Sequence, residues 1–82
     1  MKNVKVLFFA TLKARVGVSQ VNQELAPDAR VRDLKQTLAE RFPDLREMLP
    51  TVLVAVNRDF AFDEDPIPPE AEIALFPPVS GG

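Results

Sequence analysis

The sequence predicts an α+β fold in which a mixed sheet of four to five strands carries one main helix on one face. Apolar residues alternate with polar ones over several short stretches, which is the side-chain period of a β-strand. Only residues 31–42 repeat their apolar side chains with the longer period of a helix. The chain has 82 residues, of which 46% are hydrophobic and 27% charged. We therefore expect a single globular domain over residues 1–76.

The first third of the chain predicts two paired strands. Residues 4–9 are β-rich and largely apolar at both alternating sets of positions, which indicates a central strand covered on both faces. Residues 10–15 predict one or two helical turns that stop near Gly17. Residues 18–25 alternate loosely, as a more exposed strand does, and the short connection favours antiparallel pairing.

The main helix is predicted over residues 31–42. Its apolar side chains recur at helical spacing and share one face: Val31, Leu34, Leu38, Ala39 and Phe42. Pro43 ends the helix, because the residue before a proline is biased away from helical geometry. The start is unusual, since Arg30 occupies the N-cap, but Asp33 can accept a hydrogen bond from a free N–H there. Residues 45–49 predict a second, short helical turn.

The second half of the chain supplies the remaining strands. Residues 51–56 are β-branched and form the clearest strand, and residues 60–62 form a brief one after a turn at residues 57–58. Residues 63–70 contain three prolines and form a loop, and residues 73–76 form the last strand. The resulting order, β-β-α-β-(β)-β, is that of the β-grasp or ubiquitin-like fold. A ferredoxin-like fold would need a second full helix.

The composition excludes several kinds of chemistry. The chain contains no Cys and no His, so it forms no disulfide, thiolate nucleophile, Ser-His-Asp triad or cysteine-ligated metal site. A formal net charge of −2 without a basic stripe argues against a nucleic-acid partner. No stretch approaches the roughly 18 apolar residues of a membrane span, and no secretory signal is recognisable. We expect no bound metal, no membrane contact and a cytoplasmic location.

Charged residues are segregated along the chain. Residues 1–15 hold four basic side chains and no acid, whereas residues 59–82 hold six acidic side chains and no base. We expect the two segments to lie side by side and offset each other; alternatively, one of them steers a partner. The acidic run 63–65 is interpreted as a solvated turn, because it lacks the ligand spacing and glycine of a calcium loop. No catalytic role is expected for Asp44 and Glu47, a carboxylate pair on a short surface turn with no candidate partner acid or base.

Phenylalanine is the only aromatic residue type, with six copies. Their spacing suits a core, and no basic side chains interleave with them as they do in a base-stacking surface. Phe76 is the exception, because it stands where the last strand leaves the sheet. It is either a core residue or a contact for a partner.

The C-terminal tail, residues 77–82, is the most informative segment. Its two prolines hold the departing chain extended, and its six residues reach at most roughly 20 Å. Gly81 and Gly82 have no side chains and can thread a channel too narrow for a Cβ. The carboxylate of Gly82 is then a presentable reactive group, which an ATP-using partner could activate for attack by sulfur or amine nucleophiles. An inert, flexible end is the alternative.

Four segments resemble one known family. They read VAVNR at residues 54–58, IALFPPVSGG at residues 73–82, FFATL at residues 8–12 and VRDL at residues 31–34. Together they resemble the MoaD/ThiS sulfur-carrier family, and within it the small subunits of molybdopterin synthase. The chain departs from that family at residues 69–72, where an Asp-Gly-Asp-Glu-like turn is frequent, and at Arg30, where a Ser or Thr cap is common.

The resemblance implies a β-grasp sulfur carrier. The Gly82 carboxylate would be adenylated by an E1-like (MoeB-like) enzyme, converted to a thiocarboxylate with sulfur from a cysteine desulfurase or rhodanese, and used to convert precursor Z into molybdopterin. The chain would be the non-catalytic donor in a heterotetramer with a MoaE-like large subunit. It would hold no stable cofactor, since ATP is consumed by the activating enzyme. Ser80 and Gly81 would thread the partner's channel, and the docking segment would be Phe76, Pro77, Pro78 and Val79.

Other functions remain open at this point. The sulfur could serve tRNA thiolation, thiamine synthesis or cysteine synthesis. The chain could instead be a ubiquitin-like modifier attached to lysines, or a plain binding module with an inert tail.

Overall fold

A computed structural model describes residues 1–78 of the chain. The elements, in chain order, are β1 (Lys2–Phe8), α1 (Ala10–Val16), β2 (Gln20–Leu25), α2 (Val31–Arg41), two 3₁₀ turns (Pro43–Leu45 and Leu49–Thr51), β3 (Leu53–Val56), β4 (Asp59–Ala61) and β5 (Glu72–Phe76). The five strands form one mixed sheet with α2 as its main helix, which confirms the predicted β-grasp fold. No helix in this part of the chain is long and apolar enough to span a membrane.

The strands lie in the order β2-β1-β5-β3-β4. β5 therefore occupies the centre, parallel to β1 and antiparallel to β3. Val6 of β1 is opposite Ile73 of β5, and Phe76 at the end of β5 is opposite Leu53 of β3. The first and last strands of the sequence are thus direct neighbours.

The core lies between α2 and one face of the sheet, which we call the inner face. Along β1 every second side chain is buried, from Lys2 to Phe8, and the alternate ones are exposed or half-buried. The prediction that both faces of β1 are covered is wrong: Leu7 is half-buried and Phe9 is 40% exposed. The reason is that α2, the one long helix in the part of the chain that the structure describes, covers only the inner face, through Val31, Leu34 and Leu38.

A distant loop explains how α2 begins with Arg30 as its N-cap. The N–H groups of Val31 and Arg32 donate to the carbonyls of Asp65 and Asp63, each at 3.0 Å. These bonds satisfy donors that a Ser or Thr side chain would otherwise cap. The Arg30 N–H also donates to Oδ2 of Asp33 at 2.8 Å, which confirms the predicted role of Asp33.

A buried ammonium group at the start of β1 joins the same two loops that meet at the start of α2. Lys2 is 8% exposed, and its Nζ donates to the carbonyls of Pro27 at 3.1 Å, Ala29 at 3.2 Å and Ile67. Three acceptors match the three N–H donors of a lysine. The side chain therefore ties the loop before α2 to the loop before β5.

Two turns in the second half of the chain place non-glycine residues in the left-handed region. Asn57 (φ 49°) and Arg58 (φ 74°) form the two-residue turn between β3 and β4, with Val56 opposite Asp59. Both positive angles are typical of a type I′ hairpin. Glu70, with φ 60°, lies in the turn before β5 that departs from the family pattern.

Candidate functional site

The last two described residues, Pro77 and Pro78, follow the central strand of the sheet. β5 ends at Phe76, between the ends of β1 and β3. Pro77 is half-buried and Pro78 is exposed, and neither has an N–H with which to continue the ladder. The predictions for Val79 as a docking residue and for Ser80, Gly81 and Gly82 as threading and reacting residues fall outside the described part of the chain.

An aromatic pair flanks the root of the tail. The rings of Phe9 and Phe76 stack with centroids 4.8 Å apart and planes 12° from parallel. The Phe9 N–H donates to the carbonyl of Leu75 at 3.3 Å, so the chain after β1 is tied to β5. Ala10 follows with φ 53°, a conformation that costs a non-glycine residue about 1 kcal/mol. The surrounding structure holds this strained turn, and the turn keeps Phe9 beside Phe76.

The stacked pair belongs to a larger apolar surface on the side of the sheet opposite the inner face, which we call the outer face. We call this surface the tail-root patch; it lines a depression of about 400 Å³ and consists of Phe9, Ala10, Leu53, Phe60, Phe76 and Pro77. None of these side chains is charged, and Phe60 is 74% exposed. Contiguous exposed apolar surface with aromatic residues is typical of a protein–protein contact. The site therefore has the character of a docking surface rather than of a catalytic pocket.

The prediction that the phenylalanines form a core is wrong for three of the six. Phe8 is 1% exposed, but Phe9, Phe60 and Phe62 are 40%, 74% and 77% exposed. Spacing could not separate these cases, because it does not reveal that no long helix of residues 1–78 covers the outer face. A signal was nevertheless present, since aspartates at positions 59 and 63 flank the Phe60–Phe62 stretch. Of the residues predicted for docking, Phe76 and Pro77 line this depression and Pro78 does not. Phe9, Leu53 and Phe60 also line it and were not predicted.

The two oppositely charged segments lie side by side, as predicted. β1 and β5 are parallel neighbours, and Lys5 is opposite Glu72 in their register. Within residues 1–78 the one ion pair joins Lys35 Nζ to Asp63 Oδ1 at 2.8 Å. The two segments are therefore close in space without forming a direct ion pair in the part that the structure describes.

The acidic run 63–65 lies in a turn, as predicted, and acts largely through its backbone. Besides capping α2, it offers the Glu64 carbonyl to the Arg30 guanidinium at 2.6 Å. The Asp65 carboxylate accepts the Phe62 N–H at 2.7 Å. Among residues 1–78 no three acidic side chains converge as metal ligands would.

Comparisons with known proteins match the whole chain. A model of the ThiS family matches residues 6–82. The molybdopterin synthase sulfur carrier subunit of Caenorhabditis briggsae is 32% identical over 84 residues, which span all of both chains. Small archaeal modifier protein 1 of Haloferax volcanii has a TM-score of 0.88 at 25% identity, over 96% of this chain and 100% of its own. A chain in the complex of subunits 1 and 2 of the molybdopterin-converting factor from Helicobacter pylori has a TM-score of 0.68 at 26% identity. The match covers 98% of this chain and 99% of that one.

Proposed function

The chain belongs to the ThiS family, and we propose that it is the sulfur-carrier subunit of a molybdopterin synthase in the cytoplasm. The Caenorhabditis briggsae relative carries the name of that subunit and aligns with this chain from end to end. The observation that carries the proposal is the tail-root patch, an uncharged apolar depression where a segment ending in Gly-Gly leaves the sheet. A carrier needs such a surface to dock while its tail enters another protein's active site.

In this proposal the carboxylate of Gly82 is the reacting group. It attacks the α-phosphorus of ATP in an E1-like, MoeB-like enzyme and displaces pyrophosphate, which gives an acyl-adenylate. The terminal sulfur of a persulfide on a cysteine desulfurase or rhodanese attacks the acyl carbon and displaces AMP, which gives an acyl disulfide. A thiol then cleaves the S–S bond, forming a disulfide with the donor sulfur and releasing the thiocarboxylate. The large subunit then transfers this sulfur to precursor Z, and water restores the carboxylate.

The side chains of this chain bind and position rather than catalyse. The sequence offers no Cys or His as nucleophile or base, so the proposal assigns the catalytic groups to the large subunit. Ser80 and Gly81 thread the narrow channel, because residues with small or absent side chains fit where larger ones do not. Pro77, Pro78 and Val79 direct the tail, and Phe76 anchors its root against the partner.

The proposed partners follow from this chemistry. The Helicobacter pylori complex shows a structurally similar chain with a second subunit of a molybdopterin-converting factor, which supports a MoaE-like large subunit as the stable partner here. The activating enzyme binds ATP, and the carrier itself keeps no cofactor.

A second candidate function is supported by the similarity to small archaeal modifier protein 1. The same acyl-adenylate would then be attacked by a lysine amine, which displaces AMP and forms an amide. The two functions share the activation step and differ in the nucleophile that follows.

The proposal is tested by loading the purified chain with its activating enzyme, ATP and a sulfide source. Intact mass spectrometry should show one oxygen replaced by one sulfur, and addition of the large subunit with precursor Z should reverse the change and yield molybdopterin. A residue appended after Gly82 should abolish loading, whereas the same residue added before Met1 should not. Unchanged mass in the complete reaction would refute the carrier function. Loading without transfer to precursor Z, accompanied by lysine conjugates in cells, would favour the modifier.

A further inference from the structure

A second apolar groove lies at the β4 edge of the sheet, beside the tail-root patch. We call it the Phe62 groove; it has a volume of about 640 Å³, and its apolar walls are Pro50, Val52, Leu53, Phe60 and Phe62. Phe62 is 77% exposed, and among residues 1–78 no large apolar side chain is more exposed, Met1 being equal to it. The fold gains little from an aromatic ring in this position, because so little of its surface is removed from water.

Hydrogen bonds fix the backbone of Phe62, so its exposed side chain is held in a defined position on the surface. Its N–H donates to Oδ2 of Asp65 at 2.7 Å, and its carbonyl accepts the Asp65 N–H at 3.0 Å. These two bonds also occupy the backbone groups that an added β-strand would need at this position. The groove is therefore suited to receiving side chains rather than a pairing strand.

The Phe62 groove is continuous with the tail-root patch. Leu53 and Phe60 line both, so no polar strip separates the two depressions along these residues. A protein that covers the tail-root patch while accepting the tail reaches the Phe62 groove across the same two side chains.

The rim of the groove is acidic. Asp63 and Glu64 line it together with Lys35, and Lys35 is already paired with Asp63. Glu64 has no ion-pair partner among residues 1–78. A second copy of this chain would bring two such acidic loops together, whereas a partner with a basic side chain here would complement the rim.

We propose that the Phe62 groove is a second contact for the protein that accepts the tail, and that it takes an apolar side chain flanked by an arginine or lysine. The inference rests on the proposed function, since the partner is the large subunit. The β4 edge then contributes to the affinity for the large subunit in addition to the tail and the tail-root patch.

The test measures the dissociation constant between the full chain and the large subunit from the same organism by calorimetry. Phe62→Ser should weaken binding about tenfold, and Phe62→Leu should restore most of the loss. Glu64→Lys should weaken binding several-fold at low salt and less at high salt. The matched control is Glu24→Lys, which makes the same change in net charge on β2, at the opposite edge of the sheet; it should stay within about twofold of the wild type.

The outcomes separate this inference from the proposed function. If the wild-type chain binds and loads sulfur but Phe62→Ser leaves the affinity unchanged, the groove is not a contact and only this inference fails. If Phe62→Ser instead abolishes self-association in sedimentation, or weakens only the activating enzyme, the assigned occupant is wrong. If the wild-type chain neither binds the large subunit nor loads sulfur, both fail together.

Discussion

The two faces of the sheet are built from alternate residues of the same strands, yet they differ in what covers them. On β5, Ile73 and Leu75 are fully buried against the core, whereas Ala74 and Phe76 on the outer face are only half-buried. The inner face meets α2, while the outer face carries exposed aromatic side chains. Apolar character is therefore common to both faces, and the covering helix decides which one forms the core.

The difference implies that the two faces have separate roles, which mutations can test. Inner-face side chains should determine stability, and outer-face side chains should determine binding to partners. Matched substitutions at residues 8 and 60, and at residues 2 and 5, compare the two faces directly.

Phe8→Ala should destabilise the domain by about 3–5 kcal/mol, because it removes a buried ring. That ring packs edge-on against Phe42, with the ring centroids 5.7 Å apart. Phe60→Ala makes the same chemical change on the outer face and should cost less than about 1 kcal/mol. Urea unfolding of both variants measures the contrast. Similar losses at the two positions would show that the outer face also belongs to the core.

Lys2→Met should destabilise the domain by about 1–3 kcal/mol, because three carbonyls lose the donor they share. Lys5→Met is the control, since Lys5 lies on the same strand with an exposed side chain; its effect should be within about 0.5 kcal/mol. Thermal and urea unfolding give both values. If Lys2→Met left the free energy of unfolding unchanged, water would be replacing the ammonium group as the donor to these carbonyls at no cost in stability.

The Phe9–Phe76 stack should contribute a coupling energy of about 0.5–1.5 kcal/mol in a double-mutant cycle of alanine substitutions. The same cycle repeated on the affinity for the large subunit shows whether the pair acts as a unit in docking. Additive losses in both measurements would mean that the rings are neighbours without energetic coupling.

Arg58→Gly should stabilise the domain by about 0.5–1 kcal/mol, because Asn-Gly is the preferred pair for a type I′ turn and Arg58 has φ 74°. For a domain of this size that corresponds to a rise in Tm of about 2–8 °C. Arg58→Ala should bring no such gain, since it keeps the Cβ that disfavours this angle. The affinity for the large subunit should not change, because the substitution leaves the outer-face side chains in place.

The inner half of the molecule was predictable from sequence, because alternation and helical spacing report which side chains share a face. Val6, Ile73 and Leu38 follow those periods and lie in the core. The tail-root patch was predictable only at Phe76 and Pro77. Phe9 and Phe60 were missed because periodicity is local, whereas the lack of a second covering layer among the described residues depends on how distant elements pack.

Long-range contacts account for the other surprises. The start of α2 depends on carbonyls of residues 63–65, some thirty positions further along the chain. Likewise, the start of β1 at Lys2 depends on carbonyls of two loops. No window of sequence around Arg30 or Lys2 contains those acceptors, so a local interpretation could identify the residues as unusual without explaining them.

The central position of β5 also governs when the domain can fold during synthesis. Until residues 72–76 leave the ribosome, β1 and β3 have no neighbour between them, and the sheet is divided into two hairpins of two strands each. Such hairpins are marginally stable in water, so cooperative folding waits for β5. Every molecule that reaches the native state therefore already contains the strand from which the tail departs. Fragments that end before β5 should remain unfolded and open to proteolysis instead of occupying a partner as tailless competitors.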